Sequence, residues 1–133
     1  MQCKVCGVDL RGKQKKFCSN KCQAEEKYTV YISEWLAGKQ TGGKYEGEVS
    51  SHVRRYLHEQ ANSKCVKCGW AETNPVTGRV PLTVNHIDGD SENHRPENLE
   101  LICPNCHSLT CNFGSLNRGR GRKKRLKKLQ QRL

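Results

Sequence analysis

A chain of 133 residues, 34% hydrophobic, 6% aromatic and 28% charged, has room for one ordinary domain or two very small ones. It has too little apolar mass for one large continuous core. Its formal charge of +11 points to a polyanionic partner. No apolar run approaches the roughly 18 residues of a membrane span, and the polar opening MQCKVCGVDL does not read as a signal peptide, so a soluble, unsecreted, cytoplasmic protein is expected.

The chain opens on Cys3, Cys6, Cys18 and Cys22, spaced Cys-x2-Cys and then Cys-x3-Cys. The stretch QAEEKYTVYISEWLAG then sets Tyr28, Tyr31, Ile32, Trp35 and Leu36 at helical spacing on one apolar face, although its Tyr-Thr-Val-Tyr-Ile run also suits a strand. From Gly38 the segment GKQTGGKYEG breaks the pattern and reads as a flexible linker. A second helix is predicted from Ser50 or Ser51, either one a suitable N-cap. Val53, Tyr56 and Leu57 would face inward, with Arg54, Arg55 and His58 toward solvent or a ligand. PLTVNHI at 81–87 and LELIC at 99–103 read as strands joined by the turn-rich DGDSENHRPEN, a hairpin with a long loop. A helix with proline in its first turn is expected from Pro104 to about Asn112.

Nine cysteines, an odd number in a chain without an export signal, favour metal over disulfides. Cys65, Cys68, Cys103 and Cys106 repeat the plan of the first quartet, with 34 residues between two Cys-x2-Cys pairs. Each Cys-x2-Cys turn brings two thiolates to one tetrahedral ion, so the two quartets predict two closed structural zinc sites. Neither segment can build enough core alone, and metal supplies the missing folding energy. Two closed sites of formal charge −2 lower the loaded chain from +11 to about +7. They offer no open position to a substrate, so they are scaffolding. Cys111 is left over as a packed or free thiol. A redox dithiol protein is the weaker reading, because nothing around the pairs is thioredoxin-like.

Asn85, His86 and Asn98 lie between the two cysteine pairs of the second quartet, and His107 lies just past it. The stretch VNHIDGDSENHRPENLELICPNCH closely resembles the motif of HNH nucleases, and the resemblance spans roughly residues 51–112 once the preceding helix and both pairs are included. The N-terminal quartet, the Trp35 helix and FCSNKCQ also look like small phage and bacterial HNH proteins. The resemblance implies a small α+β fold: a ββα-metal nuclease core with its four-cysteine zinc, an N-terminal zinc finger and a helical linker. It implies His86 as general base, Asn98 as the residue that ties down the loop and orients His86, and His107 as a ligand of a catalytic divalent cation, Mg, Mn or another. Where the family commonly has a metal-binding Asp or His before the catalytic histidine, this chain has Asn85, the second candidate ligand of that cation, which offers a carbonyl oxygen and no charge. Products with 5′-phosphate and 3′-hydroxyl ends are implied. Asp88, Asp90 and His94 share the loop, where turn chemistry and solvent exposure account for them, and no catalytic role is assigned to them.

After Leu116 come nine basic residues and no acidic one. Arg118, Arg120, Arg122, Lys123, Lys124, Arg125, Lys127 and Lys128, with Arg54 and Arg55, are the candidate phosphate contacts. Leu126, Leu129 and Leu133 recur at helical spacing, so this arm is suited to fold on binding. The expected organisation is a finger over 1–24, a helix and linker over 25–50, a nuclease domain over 51–116 and a basic tail over 117–133. The sequence predicts a metal-dependent endonuclease acting on double-stranded DNA in a cell or phage-infected host, as a monomer or a dimer assembled on DNA. A non-catalytic zinc-ribbon binder of nucleic acid on the same scaffold is the competing class.

Overall fold

The computed structural model describes residues 1–45, 48–111 and 113. The basic tail lies outside the described residues. The chain divides between Gln40 and Thr41 into two compact units, and no helix among the described residues is long and apolar enough to cross a membrane.

In the first unit, Cys3 opens a tight knuckle. The Cys3 N–H donates to Val8 O and the Gly7 N–H returns to Cys3 O. Gly7 takes φ of 77° to close it, a left-handed conformation that glycine adopts without steric cost. Helix α1 runs Asn20–Leu36, capped by Ser19, whose hydroxyl accepts from the Cys22 N–H. The Tyr-Thr-Val-Tyr-Ile run is thus helical: its flanks continue the helical spacing, and Tyr28, Ile32 and Trp35 are buried along one stripe. Leu36, expected on that face, is exposed.

The second unit starts where a linker is predicted. Gly43–Tyr45 (β1) instead pairs antiparallel with Glu48–Val49 (β2), and the Ser50 N–H donates to Gly42 O. Ser50 then caps helix α2, Ser51–Ala61, accepting from the Val53 N–H, and Asn62 ends it in a left-handed conformation. Strands β3, Thr83–His86, and β4, Leu99–Ile102, pair antiparallel with Asn85 opposite Glu100 and His86 opposite Leu99. Helix α3, Pro104–Ser108, follows and ends sooner than the sequence suggests, with Leu109 already outside it.

The core of this unit is small. Val53, Leu101 and Ile102 are almost wholly buried, α2 packs on β4, and α3 packs on β3. Ile102 joins Cys65 and Cys103 in a cluster flanked by Trp70, Leu82 and Cys106, so thiols form part of the hydrophobic centre. Small α+β is therefore the class of the fold, with strand, strand and helix consecutive from β3 to α3.

Candidate active site and cysteine clusters

Both quartets assemble. The sulfurs of Cys3, Cys6, Cys18 and Cys22 lie within 4.8 Å of one another, and so do those of Cys65, Cys68, Cys103 and Cys106. Individual separations are 3.5 Å for Cys6–Cys18, 3.6 Å for Cys18–Cys22 and 3.7 Å for Cys68–Cys103. Four sulfurs about 2.3 Å from one tetrahedral ion stand roughly 3.8 Å apart, so both sets fit such an ion.

The second knuckle repeats the first. The Gly69 N–H returns to Cys65 O, with φ of 80° at Gly69. Knuckle amides aimed at sulfur favour thiolate at the first cysteine of each quartet, while the neighbouring sulfurs of Cys6 and Cys68 push Cys18 and Cys106 up to about 12. The Cys6 backbone N–H heads the contacts that hold Cys3 down to about 6. Burial pushes Cys65 up, but backbone N–H groups of Cys103, Cys68 and Lys67 outweigh it and bring that thiol to about 6. Cys103 is also the N-cap of α3, its sulfur accepting from the Cys106 N–H. Cys111 is exposed and belongs to neither cluster.

His86 is the last residue of β3, half-buried where the strand gives way to the long loop. Asn98, at the loop's other end, is buried and makes three side-chain bonds. Its Oδ1 accepts from the Asp88 N–H at 2.9 Å, and its Nδ2 donates to Asp88 Oδ1 at 2.9 Å and Asn93 O at 2.8 Å. The Ile87 N–H donates to Asn98 O at 2.8 Å, so the residue after His86 is tied to Asn98 by backbone as well. The structure thus brings His86 and Asn98 together in one loop closure.

His107 projects from α3, one residue past Cys106, half-buried with its ring edge-on to Phe113 at 5.1 Å between centroids. Asn85 is buried, and its Nδ2 donates to Glu100 Oε1 at 2.8 Å. Lys67 Nζ lies 3.4 Å from that same oxygen. Consecutive strand residues face opposite sides, so Asn85 leaves β3 on the face away from His86. Its bond to Glu100 uses the amide nitrogen, and only the carbonyl oxygen suits a cation. Arg54 and Arg55 are exposed on α2. Arg55 pairs with Glu59 at 2.7 Å, whereas the positive charge of Arg54 reaches His86 and lowers its pKa.

His94 departs from what the sequence predicts. Attributed there to an exposed turn, it is 5% exposed, and its Nδ1 lies 3.0 Å from His86 Nε2. Burial, and after it the neighbouring His94, holds His86 down to about 4 against the pull of Asp88 and Asp90. Burial likewise lowers His94. A histidine amid Asp, Ser, Glu and Asn carries no periodicity that would announce its burial. Asp88 and Asp90 do serve turn chemistry, Asp88 Oδ1 accepting from the Asp90 N–H and Asp90 Oδ1 from the Glu92 N–H.

At neutral pH, then, His86 is an uncharged imidazole at the end of β3, where the locked loop begins, within reach of the Arg54 charge, and β3 packs on the helix that carries His107. Such a group can take a proton from water. Residues 65–112 match the family model described as HNH endonuclease. The H-N-H endonuclease F-TflIV of Escherichia phage T5 is 40% identical over 60 residues, covering 43% of this chain and 24% of that protein. A probable HNH endonuclease of Lactococcus phage SK1 is 34% identical over 58 residues, covering 42% of this chain and 62% of that protein. The chain thus spans about a quarter and about three-fifths of the curated relatives it matches. No solved structure matches it. Residues 65–112 accordingly carry the chain's likeness to HNH endonucleases.

Proposed function

We propose that this protein is a DNA endonuclease that hydrolyses phosphodiester bonds, with His86 as general base. The observation that carries the reading is the joint closure of the β3–β4 loop on His86 and Asn98, inside the segment that matches the HNH family. β3, β4 and α3 supply the strand, strand and helix of a ββα-metal core. Neutral His86 draws a proton from the attacking water, and Asn98 keeps the loop, and with it the His86 ring, in place. His107 would hold a catalytic cation by its imidazole, and Asn85, on the face of β3 away from His86, would reach it only by its carbonyl oxygen. A divalent cation, when bound there, supplies polarisation of the phosphate and stabilises the departing 3′ oxygen. Products carry 5′-phosphate and 3′-hydroxyl ends.

The cysteine clusters hold zinc, which fits four thiolates at these separations, and the second cluster fixes the start of α3 and so the place of His107. Arg54, beside the site, contacts a phosphate of duplex DNA. Arg55 joins it only on release from Glu59, and the basic tail grips the flanking backbone.

The test is cleavage of supercoiled plasmid by zinc-loaded protein with Mg or Mn, beside His86→Ala. Nicking or linearisation by the wild type, lost in the folded variant, is expected. A protein inert across metals and sequences that still binds DNA, equally with and without His86, would overturn the reading in favour of a zinc-ribbon binder.

A further inference from the structure

Resting on the nuclease reading above, we propose that His94, backed by the β1–β2 hairpin, is a positioning residue that accepts a hydrogen bond from His86 Nε2 and so makes Nδ1 the nitrogen that meets water. The two rings meet edge to edge, not stacked. Their nearest nitrogens are 3.0 Å apart, with centroids at 5.0 Å and planes at 57°. Between two neutral imidazoles one nitrogen must donate and the other accept. If His94 donated, its proton would occupy the lone pair of His86 Nε2, the His86 proton would sit on Nδ1, and neither nitrogen would serve as base. If His86 Nε2–H donates, His94 Nδ1 accepts, His94 keeps its own proton on Nε2, and the lone pair of His86 Nδ1 is the base. Only the second arrangement is compatible with general-base catalysis.

The hairpin explains why His94 stays where it is. A Cβ on Gly43 would fall 2.9 Å from His94 Cδ2 and 3.1 Å from His94 Nε2, so β1 backs this ring at a distance that only glycine allows. β1 is in turn held by its pairing with β2 and by the Ser50–Gly42 bond at the start of α2. A segment that reads as linker is, in the fold, the wall behind the second histidine. A buried imidazole is costly unless bonded, and the bond to His86 offsets that cost.

The experiment uses the full, zinc-loaded chain and three variants, His94→Leu, His94→Asn and Gly43→Ala. It combines steady-state cleavage with imidazole 15N spectra that report which nitrogen of His86 is protonated. His94→Leu should lower kcat about 10- to 100-fold with KM for DNA unchanged, the scale of a misplaced catalytic group. His94→Asn, whose side-chain oxygen can stand where Nδ1 stood, should recover most of that loss. Gly43→Ala, pressing on His94 from outside the site, should also lower kcat. The spectra should show His86 protonated at Nε2 in the wild type and a tautomer mixture in His94→Leu. Full kcat in His94→Leu, equal losses in the Leu and Asn variants, or an unchanged His86 tautomer would each overturn the proposal. A wild-type chain that cleaves nothing overturns the function above, while a shifted tautomer in His94→Leu still supports the bond argued here.

Discussion

Replacing Asn98 tests how the loop is held, because its three bonds assign its atoms without ambiguity. The Asp88 N–H can only donate, so Oδ1 faces it. Asp88 Oδ1 and Asn93 O can only accept, so Nδ2 faces both. At about 1 kcal/mol net per bond the three contribute up to about 3 kcal/mol to loop closure. Asp88 is exposed, and water replaces part of what it loses, which leaves about 2 kcal/mol for Asn98→Ala. That corresponds to a roughly 30-fold rise in local opening, read as faster hydrogen exchange at the Asp88 amide. The backbone bond from Ile87 to Asn98 O survives in this variant.

Asn98→Asp is the sharper perturbation, since it preserves shape and reverses chemistry. A carboxylate oxygen then stands where Nδ2 stood, against the Asp88 carboxylate at 2.9 Å and the Asn93 carbonyl at 2.8 Å. Two acceptors and a like charge now meet, so the aspartate variant should open its loop more than the alanine one and cleave more slowly. The predicted order of protection and of kcat is Asn, then Ala, then Asp. Aspartate behaving like wild type, or alanine leaving Asp88 exchange unchanged, would refute the reasoning.

Metal analysis should find two zinc ions per chain. Cys65→Ser should lose one ion and unfold the unit from Thr41 onward, whereas Cys3→Ser should lose the other and spare that unit's melting transition. With His86 held to about 4, cleavage should persist at about pH 5.5, where a histidine of ordinary pKa would be about nine-tenths protonated. An acid limb near 6.5 in the pH–rate profile would contradict this. The same shift predicts that stability falls as pH drops from 6.5 toward about 4, because over that window the unfolded chain binds a proton at His86 that the native chain does not. Deleting residues 118–133, which carry nine cations, should weaken DNA binding and flatten its dependence on salt, measured as the slope of log affinity against log salt.

What the sequence reveals here follows from how local each constraint is. A Cys-x2-Cys-Gly knuckle is set by five consecutive residues, so both quartets and their glycines are legible before any folding. The Ser50 cap, β3, β4 and the start of α3 at Pro104 are local in the same sense, since each depends on a period or a cap within a few positions. The hairpin at Gly43 is not. Its strands are three and two residues long, too short for alternation to show, and its glycines carry the same signature in a linker as in a strand pressed against a ring. His94 fails for a related reason. Its burial arises from contacts with β1, some fifty residues earlier, and with His86 across the loop, and neither contact leaves a mark in the residues around it. A histidine at a strand end is therefore legible from the strand's period, and a histidine buried by a distant hairpin is not. In a chain this polar, the second kind is where function hides: an imidazole in a loop of acids and amides is explained by solvent until its burial is seen. That burial turns the glycine-rich segment from a connector into a wall behind His94, so Gly43→Ala is expected to register in kcat.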